Sequence, residues 1–321
     1  MNIVFMGTPD FAVGALQALI DAEHRITAVV TQPDKPKGRG KEVQMTPVKE
    51  CALKHDIPVF QPVKIKEPEA VEILKGYEAD IFVVAAFGQI LSEEILKMPR
   101  YGCVNIHASL LPKYRGAGPI QWAVIDGEKI TGVTIMQMDK GLDTGDMLFK
   151  TEVEIAPRET ADTLHDKLAA AGAKLIVEAL SKIEAGEVTP VRQDDAESCY
   201  AKMLKKSMGK IDWCMEAGKL DCLIRGLISW PGASTVYRGK TLKIWEEEVV
   251  ADGPGRSGED FMRNAAPGTV VGVERDAFYV QTGDGVLRIL SVQPEGKKRM
   301  AVKDFLLGYQ VKPGDMFEKC E

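Results

Sequence analysis

NIVFMGTPDFAVGALQALIDAEHRITAVVT, residues 2–31, decides the fold. Its two flanks, NIVFM at 2–6 and ITAVVT at 26–31, are short runs rich in Val and Ile, the pattern of strands buried on both faces of a parallel sheet. Between them the spacing predicts a helix. Thr8 is placed to cap it, Pro9 to occupy its first position, and Phe11, Ala15, Leu16 and Leu19 to share one face.

The same alternation continues along the first half of the chain. DIFVVAA (80–86) and CVNIHA (103–108) read as further buried strands, and GVTIMQMD (132–139) as another, followed by a long helix from about Thr160 to Glu184. Leu164, Leu168, Leu175 and Leu180 lie near one stripe of that helix, while His165 falls one residue off it and reads as an exposed or capping side chain. The fold class expected is α/β, a doubly wound, mostly parallel, Rossmann-like sheet whose ligand cleft lies beyond the carboxyl ends of its strands. After AGEVTP the texture changes. Residues 189–206 mix Pro, Gln, Asp and Lys without periodicity, as a linker does, and from about 207 five strand-like runs follow: STVYR, TLKIWEEEVV, GTVVGVE, AFYVQ and VLRILSV. Gly and Asp turns divide them, which points to a small, OB-like β-barrel. The expected division is therefore an α/β domain at 1–188, a linker at 189–206 and an OB-like C-terminal domain at 207–321.

Composition bounds the function loosely. The chain has 321 residues, 45% apolar and 27% charged, the profile of a soluble globular protein with room for two domains. Lys and Arg number 41 against 47 Asp and Glu, so a nucleic-acid partner has to be met by local basic patches rather than by net charge. No stretch approaches a membrane span, the N-terminus lacks the basic start of a signal peptide, and the six cysteines form no CxxC. A cytoplasmic protein with reduced thiols is expected. Four histidines without ligand spacing give a metal site little support.

Several motifs carry chemistry. GTPDFAVG does not fit G-x-G-x-x-G, and the second strand ends in VVTQPD with no acid at its tip, so a dinucleotide site is not expected. Asn105 and His107 are two apart on a strand and emerge on one face at its carboxyl end. That pattern suits either a working site or a hydrogen-bonded structural feature. SLLP (109–112) follows as a turn with backbone groups able to meet a ligand. Asp139, Asp143 and Asp146 crowd the Gly-rich loop MDKGLDTGD; three carboxylates there can serve acid/base chemistry or bind a cation, although the spacing is not that of a calcium loop. DKPKGRGK (34–41) places four basic residues, Lys35, Lys37, Arg39 and Lys41, in a loop directly after a strand. YAKMLKKSMGK (200–210) and EGKKRM are further basic stretches, each readable as phosphate contacts or as ordinary surface lysines. Trp213, Trp230 and Trp245 fit either a barrel core or stacking platforms.

NIHASLLP followed by GLDTGD resembles the signature of the formyltransferases that use 10-formyltetrahydrofolate. FMGTPDFAV, TQPDKPKGRGK, GVTIMQMDKGLDTGDML and GKKRM are similar to the branch of that family whose acceptor is initiator methionyl-tRNA. The similarity runs from Ile3 to about Arg299. Ala108 stands where relatives carry Gly or Pro. The resemblance implies a catalytic set of Asn105, His107 and Asp143, a folate lying against Ser109, Leu110, Leu111 and Pro112, and a wall for the pterin at Phe87 to Leu91. It further implies that Lys35, Lys37, Arg39 and Lys41 meet the tRNA acceptor stem, with 10-formyltetrahydrofolate as co-substrate, no metal and no obligate protein partner. Formyl transfer uses the substrate's own amine as nucleophile, which suits a site without a Ser–His pair. Two alternatives remain open from the residues: a formyl-folate enzyme acting on a small amine, and a non-catalytic RNA-binding protein on a retired enzyme scaffold.

Overall fold

A computed structural model describes residues 1–37, 42–250 and 265–318. It divides into two compact units, one of residues 1–119, 130–154 and 164–201, the other of 120–129, 155–163 and 202–321.

The first unit is built on seven strands: β1 (Asn2–Gly7), β2 (Arg25–Val30), β3 (Val59–Phe60), β4 (Ile81–Ala85), β5 (Cys103–His107), β6 (Ile130–Gln137) and β7 (Met147–Glu154). Their order across the sheet is β7-β6-β5-β4-β1-β2-β3. The first five in chain order run parallel, and β6 and β7 close the far edge as an antiparallel hairpin. The chain moves outward from β1 to β2 and β3, then restarts on the other side at β4. The switch point therefore lies between β1 and β4, and the sheet is the doubly wound, mostly parallel one expected. Central strands β1 and β4 bury nearly every residue because helices cover both faces.

The first helix differs from its sequence reading. The helical path begins as a 3-10 turn at Asp10–Ala12 with Pro9 before it, and no side chain caps it. Thr8 instead donates from its hydroxyl to the Phe87 carbonyl at 3.0 Å and accepts from the Gln32 N–H at 3.3 Å, joining three loops at the switch point. The α-helix proper covers Val13–Asp21, and Phe11, Ala15, Leu16 and Leu19 are buried. The long helix runs Ala161–Ala185, with its Leu164, Leu168, Leu175 and Leu180 buried. Gly172 lets it approach the sheet, since a Cβ there would come within 2.9 Å of the Ile106 side chain. His165 is partly covered, edge-on to Phe11 with ring centroids 5.6 Å apart.

Residues 189–206 carry pairings to other parts of the chain. Val191 bridges to Met147, and Tyr200–Ala201 adds a parallel pairing to Arg115–Gly116. These pairings hold the segment to distant parts of the chain, and Asp195–Glu197 forms a 3-10 turn of its own.

In the second unit all five expected strands are present: β8 (Ala233–Tyr237), β9 (Lys240–Val250), β10 (Val270–Val273), β11 (Phe278–Gln281) and β12 (Val286–Pro294). A short β13 (Phe317–Glu318) completes the order β10-β11-β12-β9-β8-β13, and the sheet curls until Thr269 and Met316 bridge its two ends. Trp213, Tyr237, Phe278, Phe305 and Phe317 fill its interior. Trp213 is thus core, its Nε1 donating to Thr235 Oγ1 at 2.9 Å, whereas Trp230 is exposed and Trp245 is half-buried under Arg299. Beneath the sheet sits a charged cluster, buried except for Arg158, which is half exposed. Arg158 and Arg225 pair with Asp221, and Arg158 Nη2 lies 3.6 Å from Glu247 Oε1. Glu247 is fully buried, and neither carboxylate oxygen has a hydrogen-bond partner.

Candidate active site

Asn105 and His107 project from the carboxyl end of β5, one strand away from the switch point. In register Asn105 faces Val84 of β4 and Met136 of β6, and His107 faces Thr134. The alternate residues Val104 and Ile106 are buried on the opposite face, so the strand's polarity follows its two-residue period. Cys103 shares the polar face, but burial pushes its thiol up to about 12, which leaves it in the un-nucleophilic thiol form.

His107 is 5% exposed and held on both sides. Its Nε2 is 2.9 Å from the Tyr114 carbonyl, which only accepts, so Nε2 carries the hydrogen. Its Nδ1 faces Asp143 Oδ2 at 3.8 Å. A neutral ring would turn a lone pair toward that carboxylate, whereas a protonated ring presents an N–H to each neighbour. The Asn105 side-chain amide makes no hydrogen bond among the described residues. It stands beside a fixed imidazole as an unspent donor.

Asp143 reaches His107 because the β6–β7 hairpin loop is bent back over the sheet. Asp143 itself adopts φ 54°, in the left-handed region. Gly145 is pressed so closely on β6 that a Cβ there would fall 1.8 Å from the Gln137 carbonyl. The Asp143 carboxylate accepts from the Gly116 N–H at 2.8 Å. Its neighbours do other work. Asp139 ties the turn by accepting from Gly141 N–H and the Thr144 hydroxyl, and Asp146 is exposed. Among the described residues no cluster of three or more His, Cys, Asp or Glu could hold a metal ion.

In the segment 109–112, Ser109 and Leu111 turn inward while Leu110 and Pro112 remain partly accessible. Leu111 packs with Met136 and Met147, and Ser109 Oγ donates to the Lys113 carbonyl at 2.6 Å. Thr134 locks the turn, donating to the Ser109 carbonyl at 2.7 Å and accepting from Leu111 N–H at 3.1 Å. Lys150 Nζ donates to the Leu111 carbonyl, and burial holds this ammonium below its usual range. The stretch 87–91 is divided: Phe87 and Leu91 are core, while Gly88 and Ile90 are exposed. An apolar wall there would come from Ile90 rather than from the whole segment.

For the basic loop, Lys35–Lys37 pairs as a short hairpin with Glu42–Gln44, and Lys35 is exposed. Arg39 and Lys41 lie outside the described residues, as does the Lys37 side chain. The base of the hairpin is braced by Asp34, which pairs with Lys49 and accepts from Gln61 Nε2 at 2.7 Å. Those bonds, foremost the one from Lys49, hold the Asp34 carboxyl below the usual carboxylate range.

Residues 1–180 match the family model described as Formyl transferase, and residues 203–310 match that of its C-terminal domain. A methionyl-tRNA formyltransferase of Agathobacter rectalis is 54% identical over 99% of both chains. The chain belongs to the methionyl-tRNA formyltransferase family. A second relative of that name, from Lachnospira eligens, is 52% identical over 98% of this chain and 99% of its own. Among solved structures, the sugar 3N-formyl transferase WlaRD matches with a TM-score of 0.66 at 19% identity, over 93% of this chain and 99% of that one. An N-formyltransferase from Helicobacter canadensis matches with 0.63 at 18%, over 91% and 98%. These distant likenesses speak for the fold of this methionyl-tRNA formyltransferase family member. Sequence reasoning named the polar trio but missed the residues that place it, Gly116, Tyr114, Gln193 and Arg115. The hairpin's glycines were the visible signal for a bent loop, whereas nothing in the aperiodic segment 189–206 marks Gln193.

Proposed function

We infer that the chain transfers the formyl group of 10-formyltetrahydrofolate to the free amino group of initiator methionyl-tRNA, giving N-formylmethionyl-tRNA and tetrahydrofolate. The observation that carries this reading is the meeting of His107 with Asp143 beside the unpartnered Asn105 amide, in a family that transfers formyl groups. The amine attacks the formyl carbon, a C–N bond forms, and charge develops on the formyl oxygen. Asn105 donates its amide N–H to that oxygen, and the His107 ring, charge-balanced by Asp143, supplies positive potential beside it. As the bond to the folate nitrogen breaks, protonated His107 gives that nitrogen its Nδ1 proton and then takes up the one the amine gives up, so the ring ends as it began and Nε2 stays on the Tyr114 carbonyl. Such a relay contributes roughly a hundredfold to ten-thousandfold in rate. This acyl transfer needs no metal.

Leu110 and Pro112 offer surface to the folate, and Ser109 and Leu111 hold the turn that presents them. Lys35, Lys37, Arg39 and Lys41 meet the tRNA through phosphate contacts, aided by lysines of 202–210. The functional division follows 1–188 for catalysis, 189–206 as the connecting segment and 207–321 for RNA. No helix among the described residues is long and apolar enough to cross a membrane, which suits work in the cytoplasm on tRNA.

The test is incubation of the purified protein with 10-formyltetrahydrofolate and charged initiator tRNA, followed by analysis of the esterified amino acid. Formyl-methionine on the RNA is expected. Formylation of a small amine or an amino-sugar nucleotide, with methionyl-tRNA left unmodified, would replace this reading.

A further inference from the structure

Gln193 stands outside the strand and the loop that carry the polar trio, in the aperiodic stretch after the long helix. It is nevertheless 6% exposed and fully bonded. Its Nε2 donates to the carbonyls of Asp143 at 2.8 Å and of Gly145 at 2.7 Å, and its Oε1 accepts from Arg115 Nε at 2.9 Å. The amide orientation follows from its partners. Both carbonyls only accept and Nε only donates, so exchanging the amide's oxygen and nitrogen would break all three bonds.

These bonds fall where the loop is least able to hold itself. Asp143 carries a Cβ in the left-handed region, a conformation that persists only where its surroundings over-determine it. One side-chain amide fixes the carbonyls on either side of Thr144, and with them the peptide planes that aim the Asp143 carboxylate. Arg115, gripped by the same amide and paired through Nη1 with Asp195 at 2.8 Å, adjoins Gly116, whose N–H donates to that carboxylate. A closed ring results: Gln193 to the Asp143 backbone, the Asp143 side chain to Gly116, and Arg115 back to Gln193. Farther along the same segment, Tyr200–Ala201 pairs with Arg115–Gly116 and braces that side of the ring.

We propose that Gln193 is a positioning residue for formyl transfer, clamping the loop so that Asp143 stays aimed at His107. The proposal rests on the reading of Asp143 given above. It acts through geometry and touches no substrate, so its effect belongs in kcat and vanishes once Asp143 has lost its charge.

The test is a double-mutant cycle on the full chain, measuring kcat and KM for formyl-folate and for methionyl-tRNA. Gln193→Glu keeps an acceptor for Arg115 but sets an oxygen against two carbonyl oxygens; it is expected to lower kcat roughly tenfold to a hundredfold, leaving both KM values within about twofold. In an Asp143→Asn background the same substitution is expected to cost less than about twofold. Gln193→Met, uncharged and of similar length, repeats the cycle should Gln193→Glu fold poorly, with thermal midpoints verifying folding in each case. Losses that multiply in the double variant, or that appear in KM alone, overturn the proposal while the site reading stands. A wild-type protein that forms no formyl-methionine overturns the site reading and this proposal with it.

Discussion

Asp143→Asn tests the electrostatic core of the site, because it removes a charge while keeping the shape of the side chain. The carboxylate lies 3.8 Å from His107 Nδ1, with both side chains largely shielded, 14% and 6% exposed. At that separation and an effective dielectric near 20, a full charge pair is worth about 4 kcal/mol. At 1.4 kcal/mol per decade the ceiling on the rate effect is roughly a thousandfold. Only the part of the interaction that grows as the transition state forms counts, so a fall in kcat of about a hundredfold is expected, within the usual range for acid/base catalysis. The asparagine oxygen still accepts from the Gly116 N–H, so the loop should hold. Its amide then donates toward Nδ1 and supports a neutral ring, opposing any positive charge on His107. Single-turnover formylation of methionyl-tRNA reads the chemical step directly, and formyl-folate binding by fluorescence titration should be unchanged. Asp143→Ala should match this loss and in addition destabilise the fold by about 1 kcal/mol, from the lost Gly116 bond. If Asp143→Asn retains half or more of the wild-type single-turnover rate, the charge on Asp143 has no part in catalysis and the mechanism above is wrong.

Arg39→Ala should raise KM for methionyl-tRNA and flatten the salt dependence of binding by about one unit of log–log slope, leaving formyl-folate binding alone; equal losses in both would point to misfolding instead. Thr134→Val strands the Ser109 carbonyl and Leu111 N–H without a partner, so the fold should lose about 1–3 kcal/mol and KM for formyl-folate should rise more than kcat falls, by steady-state kinetics. Glu247 tests pH linkage in the second unit: burial, then the neighbouring Asp221, raises its carboxyl from the ordinary 4.5 to about 8. Between those values the native state holds a proton that the unfolded chain has released, so stability falls as pH rises, by at most about 1.4 kcal/mol per unit. Urea midpoints for the full chain, followed by tryptophan fluorescence from about pH 5 to pH 9, should show this slope flatten in Glu247→Gln; parallel profiles would mean that Glu247 does not hold the proton.

How much of this could be read beforehand depends on the distance over which each residue acts. Periodicity is local, so the strands around Val4, Val29, Val83 and Val104, and the Leu164–Leu180 stripe, were visible from side-chain order alone. The same-face placement of Asn105 and His107 follows from the period of a strand. Thr8 was misjudged because a Thr-Pro pair has the local chemistry of a cap, while its hydroxyl is captured by Phe87 and Gln32 from distant loops. Phe87 and Leu91 were grouped by apolar character, which does not say which side of a loop faces the core. The deepest gap lies in 189–206. A segment anchored mainly by distant partners has no period, and Gln193, Asp195 and Tyr200 acquire meaning only once Arg115 and the Asp143 loop are folded beside them.

The two sheets also differ in what they offer a neighbouring molecule in a crowded solution. The barrel sheet curls until Thr269 meets Met316, so its terminal strands satisfy each other. The first sheet ends at β7, eight residues long, whose edge gains one further bridge among the described residues, Val191 to Met147. Such an edge invites another chain to add itself by backbone pairing. Here Lys150, Glu152 and Glu154 alternate along that margin, and Glu152 and Glu154 are exposed. A second copy docking edge to edge in antiparallel register would have to desolvate these charged side chains, whichever register it took. An edge strand with charges at alternate positions is thereby poorly adhesive, and β7 can remain the last strand of its sheet without inviting a second copy.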